Sequence, residues 1–149
     1  MFTNILIPTD GSEFSEKAIN HGIDLAKVLQ ARITALHVIV VPPIYPLEMG
    51  VIPSLDTRME DGIEKAHRAT GESYLDRICM AAAAVGLACD RVLVKNNDAW
   101  TGIVETAQTK QCDLIIMGAH GRGGLSALVL GSVTSKILSH SKIPVLVYR

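Results

Sequence analysis

Five short runs of Ile, Val and Leu, separated by stretches with helical spacing, leave this chain few ways to fold. The runs are Ile5–Ile7, Ile33–Val41, Val92–Val94, Leu114–Met117 and Val145–Tyr148. They are mostly unbroken rather than alternating, as in strands covered on both faces of a parallel sheet. Between the first two runs, Phe14, Ala18, Ile19, Leu25, Ala26 and Leu29 recur at helical spacing over about 13–30. Asp10-Gly11-Ser12 precedes that stretch; Ser12 suits an N-cap, and Glu13 and Glu16 suit a first turn where the helix dipole is positive. A long second helix is expected over about 57–85, with Gly86 as its stop, a third over 98–110 and a fourth from near Gly131.

The resulting order, β-α-β-α-β-α-β-α-β, calls for right-handed crossovers, one parallel sheet and helices on both of its faces. A single-domain, doubly wound, five-stranded α/β fold with strand order 3-2-1-4-5, flavodoxin-like, fits the element count. A length of 149 residues agrees with one domain on the usual scale of ~100–200. The long irregular connection is the Pro-rich stretch from Pro42 to Asp56.

Charge narrows the partners. Lys and Arg total 14 against 15 Asp and Glu, so the chain lacks the basic footprint that nucleic acid requires. No run of roughly 18 apolar residues predicts a membrane span, and no basic leader precedes the first strand. The three cysteines, Cys79, Cys89 and Cys112, are odd in number and far apart, without C-x-x-C spacing. They read as small apolar residues of a reducing, cytoplasmic compartment rather than as a disulfide framework or zinc site.

In an open parallel sheet, ligands bind beyond the carboxyl ends of the strands where the winding reverses. Here that crevice falls between the first strand, ending in Pro8-Thr9-Asp10-Gly11, and the fourth, ending in Met117-Gly118-Ala119-His120-Gly121-Arg122-Gly123-Gly124. Glycine lets backbone amides approach an anion and adopt positive φ. Gly131-Ser132-Val133-Thr134 then opens a helix whose first amides and dipole favour negative charge, with two hydroxyls beside them. A helix dipole contributes only ~0.3–1 kcal/mol, whereas micromolar affinity needs ~8 kcal/mol. Several amides, hydroxyls and a base slot must therefore act together.

The spacing is neither a Walker A loop nor G-x-G-x-x-G. It is Gly118-x2-Gly121-x9-Gly131-Ser132, and with it the chain resembles the ATP-binding branch of the universal stress protein family. The resemblance extends through ILIPTDGSEFSEKA, ALHVIV, DLIIMGAHGRGGLSALVLGSVTSKIL and IPVLVY, essentially the whole chain. It implies an adenine nucleotide alpha hydrolase-like fold in which Pro8, Thr9, Asp10 and Val38 line the adenine and ribose side. Met117, Gly118, Gly121, Gly131, Ser132, Val133 and Thr134 would hold ribose and phosphates, with His120 and Arg122 in the intervening loop. Where many members carry Gly-Pro before the third helix, this chain has Asn96-Asn97-Asp98-Ala99-Trp100.

Plainer roles compete for some of these residues. Asp10 also suits a turn, Ser132 an N-cap, and Arg122 a solvated loop charge. His37 reads as a core histidine and Trp100 as packing. His120 has no nucleophile or carboxylate beside it in sequence to make it a catalyst. The resemblance implies an ATP-binding stress-response module, with Mg2+ or Mn2+ carried by the phosphates. No base or arginine-finger pattern for rapid phosphoryl transfer is evident, so hydrolysis or autophosphorylation would be slow. A weak ATPase and a nucleotide-independent dimeric scaffold are the alternatives. The apolar final strand, 143–148, invites pairing with a second copy.

Overall fold

The computed structural model describes residues 1–41, 57–121 and 130–149; the Pro42–Asp56 connection and Arg122 lie outside them. The elements run β1 (Asn4–Pro8), α1 (Glu13–Leu29), β2 (Arg32–Val40), α2 (Thr57–Ala84), β3 (Cys89–Asn96), α3 (Ala99–Thr109), β4 (Leu114–Gly118), α4 (Ser132–His140) and β5 (Val145–Tyr148). The sheet is five-stranded, in the order β3-β2-β1-β4-β5, and every pairing is parallel. This is the doubly wound arrangement expected from the sequence.

Alternation along each strand sends successive side chains to opposite faces. Ile5 and Ile7 of β1 join Ile33, Ala35 and Ile116 beneath α1 and α2, where Ile19, Ile23, Leu75 and Ile78 complete one core. Leu6, Leu36, Ile115 and Met117 face the other way, against Ile103 and Ala107 of α3 and Ile137 of α4. Both faces are thus buried, and the central strands β1 and β4, buried at every position, carry no polar alternation. Ser12 caps α1, its side chain accepting from the Ser15 amide.

The two sheet edges differ in character. On β3, Asp90, Arg91 and Lys95 form ion pairs with Arg32, Asp76 and Glu64. On β5 the corresponding stretch is Val145-Leu146-Val147, with Leu146 39% exposed.

One expectation is overturned. Cys79, near the end of α2, and Cys89, the first residue of β3, are joined in a disulfide with their Cα atoms 5.3 Å apart. Odd number and wide spacing misled because the turn after α2 folds the chain back. The Leu87 amide donates to Ala82, and the Ile33 amide to Ala88, so the strand starts beside the helix it leaves. Only Cys112 is free, buried in the second core.

Asp113 fastens the amino end of β1 to β4. Its carboxylate accepts from the Thr3 amide and hydroxyl and from the Asn4 amide. Burial alone would raise its pKa, but these donors outweigh burial and hold it below the ordinary carboxylate value. A depressed folded-state pKa stabilises the protein above the unfolded value of ~3.9 and is lost as pH falls through the folded one. Asp113→Asn is therefore expected to lower the denaturation midpoint at neutral pH. The gap from wild type should close as acid protonates Asp113, which parallel urea titrations at neutral and acid pH will show.

Candidate functional site

β1 and β4 stay in register for only two residue pairs, Ile5 with Leu114 and Leu6 with Ile115. Beyond them each strand keeps its outer neighbour. The Thr9 amide donates to Leu36 at 2.8 Å, and the Ala119 amide to Tyr148 at 2.7 Å. The sheet therefore parts at its carboxyl edge, where the winding changes direction. A cleft of about 310 Å3 opens there, within the range of small-molecule pockets.

The cleft has two chemically distinct ends. Leu36 and Val38 of β2, Ala99 and Ile103 of α3 and Met117 of β4 make an apolar slot. Opposite lie Gly118, His120 and Gly121 after β4, together with Gly131 and Ser132, Val133 and Thr134 of α4. Pro8, Thr9 and Asp10 form the wall between them, with Ser15 of α1 behind. All twelve sequence-predicted site residues that are described line this one cleft. Leu36, Ser15, Ala99 and Ile103 were not expected. Leu36 and Ile103 carry only the signature of core residues, and Ser15 and Ala99 carry no local signal of a site.

Several polar groups already have partners. Asp10 accepts from the Ser12 amide through Oδ1 and turns Oδ2 toward Gly121. The Thr9 hydroxyl accepts from the Gly11 amide and from Ser15 Oγ, which fixes the wall. The Thr134 hydroxyl donates to the Gly118 carbonyl at 3.1 Å, tying α4 to β4. Its proton is thereby engaged inside the protein, so in this arrangement Thr134 has none to give a phosphate. Gly131, not Ser132, holds the N-cap position, which frees Ser132 from the capping alternative and leaves its side chain on the cleft. Within an α-helix the first amides, those of Ser132 to Thr134, have no intrahelical acceptor, and here they stand at the cleft.

The glycines act differently from expectation. Among the described residues, the glycines with positive φ are Gly11 and Gly86; Gly118, Gly121 and Gly131 are not among them. What the cleft glycines supply is close approach. A Cβ at Gly118 would lie 2.9 Å from the Phe14 carbonyl oxygen, and one at Gly121 would lie 2.5 Å from Asp10 Oδ2.

His120 is buried with its ring 5.2 Å from that of Phe14, and Trp100 packs in the second core with His140 beside it. Before α3, in the stretch that departs from the Gly-Pro pattern, Asn96 closes the turn: its Oδ1 accepts from the Asp98 amide and its Nδ2 donates to Glu105. No group of three or more His, Cys, Asp or Glu side chains suited to a metal occurs among the described residues. Nor does any described helix have the length and apolarity to cross a membrane.

Comparison with known proteins agrees with this architecture. The chain matches the universal stress protein family over residues 1–149. It is 32% identical to universal stress protein MJ0531 of Methanocaldococcus jannaschii over 149 residues, covering all of this chain and 83% of that one. Identity to universal stress protein YxiE of Bacillus subtilis is 30%, with both chains covered in full. Among solved structures, the universal stress protein UspA from Lactobacillus plantarum superposes with a TM-score of 0.83 at 25% identity, covering 99% of this chain and 98% of that one. Sequence, strand order and relatives converge: the chain belongs to the universal stress protein family.

Proposed function

We propose that the cleft binds ATP and that the protein is a nucleotide-dependent module of a cytoplasmic stress response, with hydrolysis or autophosphorylation slow at most. The observation that carries this reading is the polarity of the cleft. An apolar slot suited to a base is continuous with an end where α4 begins and where Gly121, bare of a Cβ, lies close to Asp10. The base would lie against Val38, Ile103 and Met117, the ribose near Asp10, and the phosphates toward Gly121 and Ser132. Asp10 is the single carboxylate among the described residues lining the cleft. One carboxylate does not make a resident metal site; it suits a Mg2+ or Mn2+ ion that arrives on the phosphates and offsets their repulsion from Asp10. Two solved universal stress proteins are described in complex with cAMP and dAMP, which makes adenine mononucleotides the natural competitors.

Pairing of β5 with a second copy completes the proposal. The charged β3 edge is blunted by its ion pairs, whereas the apolar β5 edge is not. A scaffold built on that pairing would need no ligand, so titration separates the readings. Calorimetry with Mg-ATP is expected to give saturable heat. At ~100 times Kd the ligand stabilises by ~2.7 kcal/mol, a rise in Tm of ~5–10 °C for a chain of this size. No heat and no thermal shift at millimolar ATP would end the ATP reading. Overnight phosphate release tests turnover, and sedimentation at tens of micromolar should find a dimer.

A further inference from the structure

The Cys79–Cys89 bond lies outside the cleft and has no part in the function proposed above. Both cysteines are half-buried and pack against the rim of the first core. The backbone holds them side by side through the α2–β3 turn, and Cys89 is fixed by its register opposite Ile33. When the bond opens, the thiols remain neighbours, so closing it again is an intramolecular step. Cys112 does not compete. Burial pushes its thiol pKa up, and it is held in the opposite core.

Helix α2 links this bond to the cleft. About one and a half turns before Cys79, the Tyr74 ring lies against Gly11 and edge-on to His37, centroids 5.5 Å apart. His37 Nδ1 is 2.8 Å from the Thr9 carbonyl oxygen. A carbonyl only accepts, so Nδ1 carries the proton. His37 is therefore a support beneath the Thr9–Gly11 wall, rather than simply a core residue.

We propose that Cys79 and Cys89 form a reversible redox site, cycling between disulfide and dithiol, whose state sets how firmly α2 and the Thr9–Gly11 wall are held on the sheet. The oxidant is hydrogen peroxide. One thiolate attacks the peroxide oxygen, giving a sulfenic acid and releasing hydroxide, which is protonated to water. The second thiolate then displaces the sulfenic oxygen as another water, forming the S–S bond. The two cysteines lose two electrons and the peroxide gains them. A small dithiol reverses the change by thiol–disulfide exchange, becoming a cyclic disulfide itself.

The test uses the full chain carrying Cys112→Ser, oxidised with hydrogen peroxide or reduced with dithiothreitol, with no nucleotide present. Iodoacetamide labelling is expected at both cysteines in the native reduced protein and at neither after peroxide. Amide hydrogen exchange should accelerate several-fold across 70–84 and across 9–12 on reduction, and return on reoxidation. In Tyr74→Ala, reduction should still loosen α2, but the 9–12 segment should no longer follow it. A bond that resists dithiothreitol until the chain unfolds, or exchange identical in the two states, overturns the proposal. So does a 9–12 response that is unchanged in Tyr74→Ala. The Cys79→Ser, Cys89→Ala double variant, locked open, should match the reduced form. None of these readouts involves a ligand, so their failure is distinct from failure of the ATP reading.

Discussion

Gly121→Val is expected to lose ATP affinity by about 100-fold or more, equivalent to ~2.7 kcal/mol, while the fold survives. The first atom added at this position would lie 2.5 Å from Asp10 Oδ2. The carboxylate must turn aside, and the added methyls project toward the end of the cleft assigned to the phosphates. Two contributions to binding are damaged together: the close approach of the main chain and the placement of Asp10. Stability changes little because Gly121 is exposed and its neighbour is the tip of a side chain. Calorimetric titration read beside the thermal midpoint checks both halves, and retained affinity would contradict the assigned phosphate end.

Gly118→Val, three positions earlier in the same motif, is expected to act in the opposite manner. Its Cβ would meet the Phe14 carbonyl oxygen at 2.9 Å and the carbonyl carbon at 3.0 Å, backbone atoms in the first turn of α1. No rotamer relieves that contact, so α1 must move off β4. Overpacking of this kind costs ~1–3 kcal/mol and occasionally more. A urea melt should show a lower midpoint at unchanged slope, because the folded state is destabilised without a change in the surface that unfolding exposes. Equal stability in the two variants would mean that the two glycines are not divided between packing and binding in this way.

The contrast shows how much of the molecule the sequence discloses. The strands were legible because both faces of the sheet are covered, so apolar residues had to run without interruption. β3 begins three residues before its apolar run, whereas β1 and β2 begin one residue before theirs. Cys89-Asp90-Arg91 belong to an edge strand, where ion pairs replace burial. The cleft was legible from strand order and glycine spacing, but the reason for each glycine was not. Spacing cannot tell a residue kept bare for Phe14 from one kept bare for Asp10. Leu36 and Ile103 escaped for a similar reason, since a side chain that floors a cavity is chemically the same as one that fills a core. The Cys79–Cys89 bond was hidden by arithmetic that counts cysteines along the chain, when what matters is how the turn after α2 returns it.

The early separation of β1 from β4 also bears on how a ligand arrives. Past Leu6 and Ile115 each strand remains tied to its outer neighbour, so the gap is built into the ladders and no hinge is needed to open it. Under the ATP reading, the ligand meets strand ends that have already parted. On that reading little free energy goes into separating these two strands, and more of each contact is retained as affinity.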